Sequence, residues 1–295
     1  MPHYEAVIIG HITEDVNIDH TGHTDRICGG AVLYSSASAF ALGHRVAAVT
    51  RLADADRARL EQFTLPKEDV FVVPCERSTV IRNQYFTADK ERRSCICLSR
   101  GTPFTMDDLP ADVTGDIYQF AGLIVGDYPD EMLVQCAQKG AIAVDAQGFL
   151  RHADPETGEM YFKDWAQKKD LLPHVTYLKT DAAEAEILTG LTDRAEAAKL
   201  LHRWGAKEVL ITHNTEVLAY DGSEICTCPI RARNLSGRTG RGDTTFAAYL
   251  TERLHADVPT ALRVATATVS LKMETPGPFR GTRADVEAYI GAFYR

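Results

Sequence analysis

The sequence has no apolar run near the ~20 residues that a membrane helix needs, and no basic stretch followed by a long apolar core near Met1. Neither a membrane span nor a secretory signal is expected. Cysteine is sparse and odd in number: seven residues, including the Cys-x-Cys pairs Cys95/Cys97 and Cys226/Cys228. No Cys-x-x-Cys occurs, so a zinc site has little basis, and the cysteines read as reduced thiols of a cytoplasmic protein. The pair His20-x-x-His23 lacks further ligands nearby and reads as solvated loop histidines. Positive charge is in deficit, with a formal net charge of −9, which argues against broad nucleic-acid binding. Three chemistry-bearing motifs are also missing. There is no Gly-x4-Gly-Lys-Ser/Thr phosphate loop, no Gly-x-Ser-x-Gly elbow, and no Gly-x-Gly-x-x-Gly after the first strand. The last absence weakens a nicotinamide-dependent reading.

What remains is an ordinary globular composition, 45% apolar and 25% charged over 295 residues. A chain of this size buries ~75% of its unfolded surface and supports a full core without staples. Val7-Ile8-Ile9 reads as a buried strand ending at Gly10. Gly29-Gly30 opens a small-residue helix over 31–42, closed by Gly43, and a strand follows at 46–49. Further strands are expected at 122–125, 142–145, 175–179 and 208–212. Between them lie amphipathic helices at 130–138, 182–188 and 194–204. Residues 217–220 and 225–229 read as a hairpin, and 261–272 and 285–293 as late helices. This alternation predicts an α/β fold with a mainly parallel sheet. Residues 70–100 break it with consecutive short strands and a charged turn at 89–93. With 11–27 they are expected to form a small antiparallel sheet, a lid of about 11–27 and 75–100 inserted in a single domain.

The most informative stretch is Gly237-Arg238-Thr239-Gly240-Arg241-Gly242-Asp243, followed by a helical run at 244–254. The glycines let the backbone approach a bulky group. The helix start directs free N–H groups and a positive dipole end at that point, which suits an anion. A carboxylate there is misplaced for binding phosphate and well placed for taking a proton. Together these features point to phosphoryl transfer to a hydroxyl. Asp15 lies five residues past the first strand, where open α/β sheets hold ligands. Gly29-Gly30 allows a ligand to approach a helix start. Asp181 stands where it can cap a helix, with Glu184 one turn in.

These residues, in this order, resemble the ribokinase-like (PfkB) carbohydrate kinases. The resemblance implies a three-layer α/β/α sandwich with a small β lid, and a kinase that uses ATP and Mg²⁺. It implies Asp243 as the base, with Gly240, Arg241 and Gly242 forming the anion hole. Asp15, Gly29 and Gly30 would bind the acceptor, with Asp127 a further candidate. Asp181, Thr212 and Asn214 would lie along the nucleotide, and Glu184 would orient Mg²⁺ through water. The segment Val144-Asp145-Ala146-Gln147-Gly148-Phe149-Leu150-Arg151 resembles one in a subgroup that includes inositol-type kinases. The implied acceptor is a sugar, an inositol-like polyol or a nucleoside. A homodimer through the lid is expected.

Departures from the family pattern sit around the glycine loop. The family's Asp-Thr-Thr is Gly237-Arg238-Thr239, its Ala is Arg241 and its Asn is Asp181. The lost Asp often helps shape a monovalent-cation site, so cation activation is in doubt. Both glycines of the family's Thr-x-Gly-x-x-Gly are absent from Thr212-His213-Asn214-Thr215-Glu216-Val217, so the nucleotide edge is altered. The Asn that often follows Gly-Gly is replaced in the run Tyr34-Ser35-Ser36, which argues against a pentose held as in ribokinase. A competing reading is a sugar- or nucleoside-binding protein on this fold with catalysis lost. The intact Gly-x-Gly-Asp argues against it.

Overall fold

The structure is a computed structural model that describes residues 2–87 and 92–294. In chain order the strands are β1 (His3–Ile9), β2 (Thr13–Ile18), β3 (Thr24–Gly29), β4 (Val46–Leu52), β5 (Val70–Pro74), β6 (Thr79–Tyr85), β7 (Arg93–Ser99), β8 (Thr114–Phe120), β9 (Ala141–Asp145), β10 (Arg151–Ala153), β11 (Met160–Phe162), β12 (Tyr177–Asp181), β13 (Glu208–Thr212), β14 (Glu216–Tyr220) and β15 (Ile225–Pro229). The α-helices are α1 (Ala31–Ala41), α2 (Asp130–Cys136), α3 (Gln147–Leu150), α4 (Lys168–Leu171), α5 (Ala182–Thr189), α6 (Arg194–Arg203), α7 (Arg241–Arg253), α8 (Val258–Lys272) and α9 (Arg283–Phe293). No helix of the described residues is long and apolar enough to cross a membrane.

A nine-stranded sheet runs in the order β15-β14-β13-β12-β9-β8-β1-β4-β5. It is parallel from β5 to β13, and the hairpin β14–β15 closes one edge antiparallel. Side chains alternate across it. On β1, Ala6 and Ile8 face one core layer while Val7 and Ile9 face the other. The first layer takes up the buried sides of α1, α7, α8 and α9, the second those of α2, α4, α5 and α6. The product is the expected α/β/α sandwich. The Ser- and Ala-rich α1 lies close enough to α7 for Ser35 Oγ and Ser38 Oγ to donate to the carbonyls of Asp243 (3.3 Å) and Thr244 (3.1 Å).

The small sheet runs β3-β2-β6-β7, drawn from the two segments expected to form a lid. It is two antiparallel hairpins joined by parallel pairing of β2 with β6, so it is mixed rather than wholly antiparallel. Residues 88–91, most of the charged turn expected at 89–93, fall outside the described residues. Residues 70–74, grouped by sequence with the small sheet, pair instead with β4 at the edge of the large one. Two β-rich runs adjacent in sequence carry no signal of which sheet receives them.

The strand expected at 122–125 is a second correction. The strand is β8, which ends at Phe120 and pairs with β1 and β9. Residues 122–125 form a buried turn, because Asp127 Oδ2 accepts from the N–H groups of Leu123 (2.9 Å) and Ile124 (3.0 Å). An apolar run gives burial but does not separate a strand from a buried loop closed by a side chain. The hairpin β10–β11 was not anticipated. It docks on the small sheet through Cys97 N–H to Gly158 O at 2.8 Å.

Candidate active site

The sequence motifs converge at the carboxyl ends of β1, β9, β12 and β13, where the small sheet stands off the large one. Gly240 adopts φ 75° and caps α7, which begins at Arg241, three residues before the run expected from sequence. A Cβ on Gly240 would overlap the ring of Tyr34. The left-handed backbone and the ring together require glycine. Gly240→Ala is expected to cost at least about 1–2 kcal/mol from the backbone alone and to abolish most activity. Thermal unfolding and turnover measured side by side check both.

N–H groups of the first helical turn have no intrahelical partner. Of these, the Arg241 N–H is drawn back to Arg238 O at 3.3 Å. Asp243 is the third residue of α7. Burial, reinforced by Asp145, raises its pKa to about 6, against the pull of Lys179, Arg151 and Lys272.

Beside it lies a buried cluster that sequence reasoning did not assemble. Lys179 of β12 and Asp145 of β9 are register partners on adjacent parallel strands. Lys179 Nζ donates to both Asp145 oxygens at 3.1 and 3.0 Å and stands 3.8 Å from Glu184. A Cβ on Gly242 would come within 3.0 Å of that ammonium. Lys179 is held charged despite burial, because Asp145, Glu184, Asp181 and Asp243 surround it. Glu184 is pushed the other way, to about 7, by burial and by Asp145 and Asp181, with Lys179 opposing. One ammonium cannot satisfy four neighbouring carboxylates. The lysine therefore gains while Glu184 and Asp243 remain hard to ionise.

Asp181 and Glu184 form the capping box of α5. Asp181 Oδ1 accepts from Glu184 N–H, and Glu184 Oε2 accepts from Asp181 N–H, both at 2.8 Å. Thr212 ends β13 and its hydroxyl lies 3.4 Å from Thr180 O. Asn214 Oδ1 accepts from Arg241 Nη1 at 2.8 Å. The residue that departs from the family's Ala thus ties the glycine loop to the turn after β13.

At the other end, Asp15 accepts from Thr13 Oγ1 at 2.9 Å and packs over Gly29, where a Cβ would clash with its carboxylate. Gly30 has φ 102° and abuts His11 O. Burial raises the Asp15 pKa, while Thr13, Arg151 and Arg93 oppose the rise. Arg151 is buried, and its Nε donates to Leu123 O at 2.8 Å. Its charge also acts on Asp243. Arg93, on β7, reaches toward Tyr85 Oη at 3.5 Å. Neither arginine was picked out as a site residue, though Arg151 ends the 144–151 segment, which was the available signal. The Tyr34 hydroxyl is buried without a partner and senses the charges of both Asp15 and Asp243.

Asp127 is placed differently from the rest. Its Oδ2 lies on two backbone N–H groups of its own loop and its Oδ1 is 3.2 Å from Nη2 of Arg100, just after β7. His20 and His23 lie in the exposed turn after β2, where His23 pairs with Asp25 at 3.1 Å. Among the described residues, the metal-ligating side chains that cluster in three are Glu5, His44 and His255.

The family model of the pfkB carbohydrate kinases matches residues 6–283. The chain belongs to the PfkB carbohydrate kinase family. It is a phosphotransferase acting on a hydroxyl group. It is 26% identical to a cytidine kinase of Thermococcus kodakarensis over 255 residues, which is 83% of this chain and 87% of that one. A sulfate complex of a pyrophosphate-dependent kinase in the ribokinase family superposes with a TM-score of 0.86. That match has 32% identity and covers 96% of this chain and 99% of the other. A pyrophosphate-dependent myo-inositol-1 kinase converted into a myo-inositol-3 kinase superposes with a TM-score of 0.85. It is 30% identical, with 98% of this chain and 100% of the other covered.

Proposed function

We propose that this kinase phosphorylates a hydroxyl of an inositol-like polyol, with Asp243 as general base. The observation that carries the reading is a carboxylate of pKa about 6 on the first turn of α7, directly after a left-handed glycine. Such a group is ionised at neutral pH and is a stronger base than an ordinary aspartate. As the acceptor oxygen attacks the donor phosphorus, its proton passes to Asp243 and the bond from phosphorus to the leaving phosphate oxygen breaks. The N–H groups of Gly240 and Gly242 supply the anion hole for the charge that builds up, while the Arg241 N–H, held by Arg238 O, fixes the turn between them. Asp15, kept ionisable by Arg93 and Arg151, accepts from acceptor hydroxyls across Gly29 and Gly30. The small sheet closes over the site and excludes water.

The oxygen-only donor set of Asp181 and Glu184 suits Mg²⁺ held through water, since magnesium retains several of its waters. Glu184 spends Oε2 on the capping box and keeps its other oxygen for such a contact. When bound, the metal supplies charge neutralisation to the donor phosphates.

For the donor, inorganic pyrophosphate is favoured over the ATP implied by the resemblance. Pyrophosphate offers neither base nor ribose, so its affinity must come from charge. Relative to the family pattern, the loop has lost one carboxylate and gained Arg238 and Arg241. The two pyrophosphate-dependent relatives support this choice. A nucleoside acceptor phosphorylated from ATP is the second reading, favoured by the cytidine kinase relative. A matrix of pyrophosphate and ATP against myo-inositol, ribose and cytidine, read by ³¹P NMR, separates the two. The expected result is kcat/KM for pyrophosphate with myo-inositol at least about 100-fold above every other pair, roughly 2.7 kcal/mol in transition-state binding. Faster turnover of ATP with cytidine would reverse the assignment.

A further inference from the structure

Lys272, the last residue of α8, is 0% exposed. A fully buried lysine normally has a carboxylate partner, yet none of the described ion pairs includes this one. Its ammonium is instead ligated by main-chain carbonyls of the glycine loop. Nζ donates to Gly237 O at 2.6 Å and to Thr239 O, and it lies over the Tyr34 ring, 5.1 Å from its centroid. Neutral carbonyl dipoles plus an aromatic face form a cation-binding environment. Nothing in the mechanism above uses this group.

We propose that the Lys272 ammonium is a built-in monovalent cation that fixes the 237–240 loop and so positions the Gly240–Asp243 anion hole and base. Three observations converge on this role. First, the residues that follow α8 are joined to the loop. Gly237 N–H donates to Met273 O at 2.8 Å, Ser236 Oγ donates to Glu274 O at 2.7 Å, and a Cβ on Gly237 would collide with Thr275 O. Second, the two ligated carbonyls flank Arg238, whose own carbonyl receives the Arg241 N–H, so their orientation sets the peptide planes entering α7. Third, the same ammonium contacts the Tyr34 ring that packs against Gly240. Its charge also favours the ionised form of Asp243, while burial and this neighbour together leave the Lys272 pKa lowered to about 8. Lys272 is thus a positioning residue that acts through the loop, and its tether makes the protein independent of potassium or sodium.

The inference rests on the phosphotransferase reading of this loop, so its test pairs turnover with a readout that needs no turnover. Wild-type kcat should be equal in potassium, sodium and tetramethylammonium chloride. Lys272→Ala should lower kcat about 100-fold, the scale of one displaced catalytic contact, with the acceptor KM little changed. Ammonium chloride or methylammonium chloride should restore at least tenfold of that loss. Both should raise the thermal midpoint of the variant, and tetramethylammonium, too large for the hole, should do neither. Lys272→Met, which fills the hole without charge, should keep the kcat loss and resist rescue. The proposal is overturned if ammonium leaves the Lys272→Ala midpoint unchanged, or if Lys272→Met retains kcat near wild type. A midpoint response to ammonium in a protein with no turnover on any acceptor would leave the cation site standing and remove the kinase reading.

Discussion

Asp243→Asn is expected to lower kcat by about 10²–10⁴-fold, the range of general-base catalysis, with acceptor binding unchanged by calorimetry. The substitution keeps the shape of the side chain, so the α1–α7 contacts made by Ser35 and Ser38 persist. Wild-type kcat/KM should rise with pH through the Asp243 pKa of about 6 and level off above it. The effect of pH on stability is opposite to that of an aspartate whose pKa is depressed by a salt bridge. A folded-state pKa raised above the ordinary aspartate value of 3.8 means that the native state binds the proton more tightly. Native stability therefore falls as pH rises from about 4 to 6 and stays lower beyond. The neutral asparagine escapes that loss. Its thermal midpoint should match wild type near pH 4 and exceed it above pH 6. A kcat loss below tenfold with binding intact removes Asp243 from the role of base. A midpoint below wild type at pH 8 removes the electrostatic account of its pKa.

Lys179→Met should produce the largest stability change. It leaves Asp145, Glu184 and Asp243 around a site with no cation, and breaking a buried pair by removing one partner costs about 3–5 kcal/mol. For a chain of this size that is a fall of about 5–8 °C in the midpoint. The effect should depend on pH. Without the ammonium Glu184 and Asp243 are pushed further up, so the penalty is full at pH 8 and shrinks as they protonate toward pH 5. The acid limb of activity should move to higher pH, since Lys179 is a principal group holding the Asp243 pKa down. A midpoint loss of equal size at pH 5 and pH 8 would show that packing rather than charge sets the role of Lys179.

Much of the site was legible because its signals are local. The glycine loop and the start of α7, the capping box of Asp181 and Glu184, and Asp15 facing Gly29 are each written in a few consecutive residues or in short offsets from a strand end. The hairpin β14–β15 and strand β13 were likewise legible, since alternation and a turn specify them without help from elsewhere. Asp127 shows the limit. An apolar run at 122–125 reads as a strand, and only the fold shows that Asp127 caps that run into a turn.

The sequence alone determined the family, the layered α/β class and the candidate base, Asp243. Those depend on backbone freedom, helix starts and periodicity, which are properties of contiguous chain. Tertiary structure decided the charge balance around Asp243 that raises its pKa to about 6. Asp145 and Lys179 are thirty-four residues apart and meet because β9 and β12 are neighbours in the sheet. Lys272 reaches the glycine loop because α8 ends beside it. The pairing of strands and the stacking of helices set which charges share a low-dielectric space, and no local pattern encodes that.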